Sequence, residues 1–467
     1  MTTALPVWCR MSDLDPTRMS ALQLAQAYDD RQLDPLEVTE TYLERIEVGS
    51  VYRLVSAERA LRQAREASER SAAGARRGPL DGVPIAIKDL IDTAGEVTGA
   101  GSPPLMARAP AVSDAPVAAR LAAAGAVFLG KTTMTELAFS GLGINPFVGT
   151  PPNSIDATRV PGGSSSGSAV AVATGLAAIA VGSDTGGSVR IPASFNGLVG
   201  LKTTDGWVPT EGTVALSTTL DTLGPIARDA DDAWVLAQVM AGARPRPLPA
   251  PPQRWSLLAP SSVFWESLDV GVAEVCRSAL AALEEAGHSI TVRPSTELVE
   301  LDGLFERFGS FAAHEAYGLY REMLERDGAS MDPRVVSRIL AVSARSPGDL
   351  ERLSAERERL RSAFWQSSSG YHALVLPTVR VAPPLLAPLV ADDAAYVQAN
   401  LAVLRSTTLG NLLGGPVATV PVGLDGLGLP VGLSFATAPG GDGQALALAK
   451  AAQALVASRR LRLRFGW

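Results

Sequence analysis

The sequence predicts an α/β fold with a largely parallel sheet, on three observations. Short apolar runs recur along the chain, each followed or preceded by a segment with helical spacing. Hydrophobic residues fill 46% of the 467 positions, which is ample for a large core. Two glycine-serine clusters, at residues 162–168 and 186–188, have Ala, Val and Ile on their flanks. That setting marks turns embedded in a core, where glycine lets the backbone approach a ligand closely, and not a flexible linker.

The elements follow in order. Helical spacing runs through 21–28 and 36–46, with Asp34 and Pro35 as the start signal of the second. Residues 57–71, rich in Arg, Glu and Ala, read as a helix with a polar face. The run VPIAIK at 83–88 reads as a buried strand. A helix at 117–124 and a strand at 126–129 come next, then a helix at 168–175 leading into a strand at 177–181. Five prolines in 243–254 enforce extended structure and mark a surface crossover. The strand pattern resumes at 255–259 and a helix follows at 270–286, so one sheet is expected to continue past the prolines. Residues 301–366 are helical by pattern, with Glu/Arg pairs and with Phe305, Phe308, Phe311, Tyr317 and Tyr320. Aromatics at that spacing read first as core and second as a cap over a site. Strands at 373–376, 417–422 and 430–436 and a helix at 443–457 complete the chain, which has no internal repeats.

Composition excludes several function classes. The net charge is −7 and no basic run is long enough to track a phosphate backbone, so nucleic acid is not an expected partner. Two cysteines, Cys9 and Cys276, cannot build a disulfide framework, which points to the cytoplasm. Residues 1–16 lack a basic stretch followed by an apolar one, so no secretory leader is expected. The longest apolar run, residues 169–182, falls short of the ~20 residues that span a bilayer. Cysteine and histidine are too few for plausible ligand sets, so neither metal nor cofactor is expected.

Three motifs compete for the chemistry. Residues 125–132 match the phosphate-loop pattern G-x-x-x-x-G-K-[ST], but the four residues between the glycines are Ala126, Val127, Phe128 and Leu129. These read as a strand, and burying their side chains is incompatible with a loop curled around phosphate. A Ser-His-Asp triad needs a histidine, and His288, His314 and His372 all lie outside the glycine-serine turns. The pattern G-x-S-x-G occurs at 163–167, inside a serine tract and with no strand directly before it. Lysine is the better base. It occurs only at Lys88, Lys131, Lys202 and Lys450, while the remaining 37 of 41 basic residues are arginine. Lysine can lose its proton when buried, and arginine effectively cannot. To act near neutral pH, Lys88 must titrate far below ~10.4, at a cost of roughly 4–5 kcal/mol that burial can impose.

These residues closely resemble the amidase signature family. The match is carried by Gly162-Gly163-Ser164-Ser165-Ser166-Gly167-Ser168-Ala169 and by residues 182–193, GSDTGGSVRIPA. It is supported by Lys88-Asp89 after the strand, Gly130-Lys131-Thr132, residues 197–202, residues 220–228, and the C-terminal segments 415–423 and 429–433. The resemblance spans about residues 15–460. It implies a single domain over 1–467, with a mixed, mostly parallel sheet of about eleven strands covered by helices on both faces. Residues 60–230 would form the signature core and 295–400 a helical cap. It also implies a Ser-Ser-Lys triad: Ser188 as nucleophile, Ser164 as a bridging serine with a cis peptide bond, and Lys88 as base. The N–H groups of Thr185, Gly186, Gly187 and Ser188 would form the oxyanion hole. Ser166, Ser183 and Thr203 depart from the commoner family text and are not expected to touch the triad. Asp184 and Arg190 are expected to pair beneath the loop.

The resemblance further implies a hydrolase that cleaves an amide or carbamate C–N bond through a serine acyl-enzyme. Residues 134–147, through Met134, Leu137, Phe139, Gly141, Leu142, Gly143 and Ile144, and the helical segment 301–366 are expected to line the substrate channel, the first of them apolar. That apolar character favours a small hydrophobic or aryl substrate, an amide, anilide or urethane. The expected partner is that small molecule; a second copy in a homodimer stays open, and a membrane is not expected. Two alternatives stand beside this one: the A subunit of a glutamine-dependent tRNA amidotransferase, and a catalytically silent family member. Such subunits carry glutamine after the aspartate matching Asp221, where this chain has Thr222.

Overall fold

The computed structural model describes residues 15–346 and 348–458. The reading of residues 1–14, including Cys9, lies outside the described residues. The N-terminal helices start where their caps demand. Ser20 and Gln23 form a reciprocal capping box before Ala21–Asp29. Asp34 accepts the N–H groups of Leu36 and Glu37, with Pro35 in the first turn of Pro35–Arg45.

One sheet organises the molecule. Its strands are β1 (Tyr52–Val55), β2 (Pro84–Lys88), β3 (Val127–Thr132), β4 (Ile179–Asp184), β5 (Val199–Lys202), β6 (Thr222–Ala227), β7 (Ser256–Pro260), β8 (Ser289–Arg293), β9 (Ala373–Pro377), β10 (Val417–Leu424) and β11 (Pro430–Ala436). Their spatial order is β1-β3-β2-β4-β6-β5-β10-β11-β9-β7-β8. Strands from both sides of the proline-rich 243–254 segment join this one sheet, as the sequence predicts.

The expected eleven-stranded mixed sheet is present, but it is not mostly parallel. Among the described residues, the parallel pairs are β2–β3, β2–β4, β7–β8 and β7–β9. The six other pairings are antiparallel. Parallel neighbours require a crossover of a dozen residues or more, and the helix-strand alternation read from the sequence reports only such units. The centre of the sheet is built otherwise. β10 and β11 form a hairpin whose turn is held by Asp425, which accepts the N–H groups of Leu427 and Leu429. β5 and β6 lie antiparallel between β10 and β4.

Residues 126–129 enter β3, whose side chains are all buried, which disposes of the phosphate-loop pattern. Gly130, in that strand, has φ of +154°, and a Cβ there would lie 2.1 Å from the Leu54 carbonyl oxygen of β1. Only glycine permits that approach. The 301–366 region resolves into the helices Thr296–Asp302, Leu304–Phe308, Phe311–Asp327, Pro333–Leu340 and Asp349–Ser367. Phe311 is core, as expected, whereas Phe305 lines the cavity that Ser188 also lines. Among the described residues, no helix is long and apolar enough to cross a membrane.

Candidate active site

Three segments converge at the carboxyl ends of adjacent strands. β2 and β4 run parallel with Ile87 opposite Val181, so Lys88 at the end of β2 lies beside the end of β4. The Gly163–Ser164 peptide is cis and precedes the Ser166–Ala173 helix. The turn after β4 carries residues 185–188. Such strand ends are where open α/β sheets place ligands.

Lys88 is fully buried, and its Nζ lies 2.7 Å from Oγ of Ser164 and 2.7 Å from Oγ of Ser183. Burial pulls the amine down to about 7, against the opposing pull of Asp184 and Asp221. Near neutral pH a large fraction is therefore an uncharged base. Ser183, read from the sequence as remote from the triad, is in contact with the lysine. Its β4 position brings it there, which local text does not reveal.

The other lysines within the fold are occupied elsewhere. Lys131 donates to the Ile91 carbonyl and the Thr98 hydroxyl, and burial lowers it to about 8. Lys202 donates to the carbonyls of Thr203 and Gly415 and pairs with Asp205 at 2.9 Å. The histidines are equally committed: His288 stacks on Trp255, His314 meets the Phe308 carbonyl, and His372 accepts the Ser256 N–H.

Beneath the 185–188 turn lies the expected ion pair. Arg190 donates to Asp184 at 2.9 and 3.0 Å, both buried, and also to the Thr407 carbonyl and Asn411 Oδ1 of the Asp393–Leu412 helix. Burial pushes the Asp184 carboxyl up, but the Arg190 charge and hydrogen bonds from Arg190 and Asn411 hold it down at about 2. Asp184 also accepts the N–H of Gly187 at 2.8 Å. That donor is spent, so Gly187 is corrected out of the expected oxyanion-hole set. The N–H groups of Thr185, Gly186 and Ser188 donate to no protein group among the described residues. The Thr185 hydroxyl donates to Asp221, a carboxyl that burial pushes up to about 6.

Thr185, Gly186 and Ser188 lie on the wall of a cavity of about 620 Å³. The rest of its lining includes Phe139 and Ser140, Leu301 and Phe305, and the Asp393–Leu412 helix with Leu404 and Thr408, which lie against Gly186. Of the residues named in 134–144, Phe139 alone faces this cavity, whereas the 301–366 segment contributes Leu301, Phe305 and Arg338 to its wall. Met134 and Leu137 pack into the main core, and Leu142 and Ile144 into a separate apolar cluster. Gly141 accepts the Gly163 N–H through its carbonyl, and a Cβ on Gly143 would sit 2.5 Å from the Gly162 carbonyl. This segment therefore buttresses the Gly162–Ser164 turn from behind. Its apolar character reflects core packing. Sequence reasoning missed Thr407 and Asn411, which come from a helix remote in the chain, and did not single out Arg338 within 301–366. No local motif announces them.

Comparison with known proteins agrees with this architecture. The Amidase family model matches residues 37–446. The chain belongs to the amidase family. It is an amidase-family hydrolase acting on carbon–nitrogen bonds. It is 35% identical to the 2-amino-5-chloromuconic acid deaminase of Comamonas testosteroni, over 81% of this chain and 82% of that one. It is 34% identical to the A subunit of the glutamyl-tRNA(Gln) amidotransferase of Symbiobacterium thermophilum, over 93% of this chain and 96% of the relative. A solved structure described as an amidase superimposes with a TM-score of 0.83 at 30% identity, covering 95% of this amidase and all of that chain. Among the described residues of this amidase, no cluster of His, Cys, Asp or Glu could hold a metal ion.

Proposed function

We propose that this amidase hydrolyses the C–N bond of a small amide or carbamate through an acyl-enzyme on Ser188. One observation carries the reading: a fully buried lysine, lowered to about 7, held 2.7 Å from the Ser164 hydroxyl beneath a cavity that Ser188 lines. Neutral Lys88 takes the proton of Ser164, and Ser164 takes that of Ser188 as its Oγ attacks the carbonyl carbon. The carbonyl π-electrons move to oxygen, where the N–H groups of Thr185, Gly186 and Ser188 are free to receive the charge. One such donor is worth about 3–4 kcal/mol. The C–N bond then breaks as the proton returns through Ser164 to the leaving nitrogen. Water, deprotonated by the same relay, cleaves the ester and restores Ser188.

The cavity contains apolar groups from Leu216, Leu220, Leu404 and Leu409, which support an acyl or aryl group of moderate size. A fluorophosphonate probe should label wild-type protein, with the adduct mapped to Ser188 by mass spectrometry. S188A should lose both the adduct and turnover of p-nitroanilides and a nitrophenyl carbamate. Labelling elsewhere, or full activity in S188A, overturns the assignment.

The relative from Symbiobacterium favours a second reading, a partner-dependent glutaminase. Ammonia release from glutamine only after a partner protein is added, with co-elution on gel filtration, would select it. The resemblance-based marker, Thr222 in place of glutamine, favours the stand-alone enzyme.

A further inference from the structure

The cavity that holds Ser188 carries more positive than negative charge. Three guanidinium groups line it, from Arg338, Arg345 and Arg405, against one carboxylate, Asp302. That carboxylate is already neutralised, since Arg405 pairs with it at 2.7 Å. Arg345 gives its two terminal nitrogens to the carbonyls of Arg307 and Glu306.

Arg338 is different. It projects from the Pro333–Leu340 helix, where its neighbour Arg334 has taken Asp393 as partner. Arg338 donates to the Phe139 carbonyl, and its guanidinium lies 4.3 Å from the centre of the Phe139 ring. Among the described residues it forms no ion pair, and the rest of its five-donor fork is unspent. Burial lowers its affinity for the proton, to about 10, with Tyr396 the only opposing influence. Arg338 is half-buried on the cavity wall, where a partly desolvated guanidinium without a counter-charge is destabilised. Stacking on Phe139 fixes its plane, and a planar fork of fixed orientation matches a carboxylate with two parallel hydrogen bonds.

We propose that Arg338 is a specificity-determining residue that reads a carboxylate on the substrate, so that the preferred substrates are anionic amides, such as monoamides of dicarboxylic acids. This deepens the amidase reading and rests on it. It also sets this cavity against a zwitterionic amino acid. An α-ammonium group would need a carboxylate in the cavity wall, and Asp302 is committed to Arg405. Glutaramate, which is glutamine without its amino group, should therefore be a better substrate than glutamine.

The experiment measures ammonia release from succinamate, glutaramate and adipamate, from glutamine, and from 5-methylhexanamide, whose isopropyl end copies the shape of a carboxylate without its charge. Hydrogen bonds to a charged group predict a preference of about 10- to 100-fold in kcat/KM for the best acid over the neutral isostere. The preference should reside mainly in KM, should fall to less than about 3-fold in R338M, and should return in part in R338K. A kcat/KM for 5-methylhexanamide equal to or above that of every one of the three acids, or an undiminished preference in R338M, overturns the proposal. So does a preference for glutamine over glutaramate. The wild-type ratio decides even where R338M fails to fold. If no amide is turned over and Ser188 takes no fluorophosphonate, the catalytic reading falls. Calorimetric titration of glutarate and adipate then decides the Arg338 site: binding weakened at least about 10-fold in R338M or R338K upholds it, and unchanged or undetectable binding refutes it.

Discussion

Protonation of Lys88 should set both activity and stability as functions of pH, with opposite working ranges. The amine titrates at about 7 in the folded protein, because burial opposes its charge, and near 10.4 when exposed. If the neutral form is the base, kcat/KM falls tenfold per pH unit below 7, so that about one-tenth of the plateau remains at pH 6. The stability effect lies on the alkaline side. Between about pH 7 and 10.4 the unfolded chain binds one more proton at this residue than the folded chain does. Stability contributed by this group therefore rises with pH across that window and is flat below it. The slope is about 1.4 kcal/mol per pH unit, and the whole span about 4–5 kcal/mol. Substitution by methionine removes both effects. The assay pairs initial rates on a p-nitroanilide from pH 5 to 9.5 with urea unfolding of wild type and K88M at pH 7, 8 and 9. The difference between the two proteins should grow by about 1.4 kcal/mol per unit in favour of wild type, which isolates Lys88 from Lys131 and Lys202. Substantial turnover by K88M, an acid limb centred near 10, or a pH-independent difference in stability would refute the reasoning.

Two further perturbations probe the turn that carries Ser188. D184A leaves Arg190 buried without its partner and removes the acceptor of the Gly187 N–H. A loss of about 3–5 kcal/mol in urea unfolding is expected, and a loss below 1 kcal/mol would show that the pair does not hold the turn. In G187A, a residue at φ of +127° gains a Cβ that would lie 2.2 Å from Thr407 Oγ1. The turn must shift, and kcat should fall about 10²–10³-fold through misplaced donors; wild-type kcat would exclude Gly187 as a constraint on the site.

How much of this was legible depends on the range of the information. Helix starts were, because Asp34-Pro35 encodes its own cap. β2 and β4 were, because fully buried strands read as continuous apolar runs. β1, β5, β6 and β8 were not. β5 and β6 contain glycine or proline and polar ends, and pair antiparallel without a crossover helix to announce them. The edge strand β8 has no fully buried residue, so it lacks the apolar run. The glycine-serine turn pointed to Ser188 and the rarity of lysine to Lys88 before any coordinates, and the family resemblance added Ser164. The segment 134–144 was misread for a physical reason: apolar side chains look alike whether they face a ligand or the back of a loop.

Local order is written in the primary chain. Caps, buried strands, tight glycine turns and the types of reactive side chain all depend on neighbours a few positions away. Folding settled the rest, by long-range packing. It brought Ser183 against Lys88, spent the Gly187 N–H on Asp184, and set the Asp393–Leu412 and Pro333–Leu340 helices around one cavity. Whether Arg338 meets a carboxylate of its own chain or awaits one from a ligand depends on which distant elements pack beside it, and residue spacing carries no record of that.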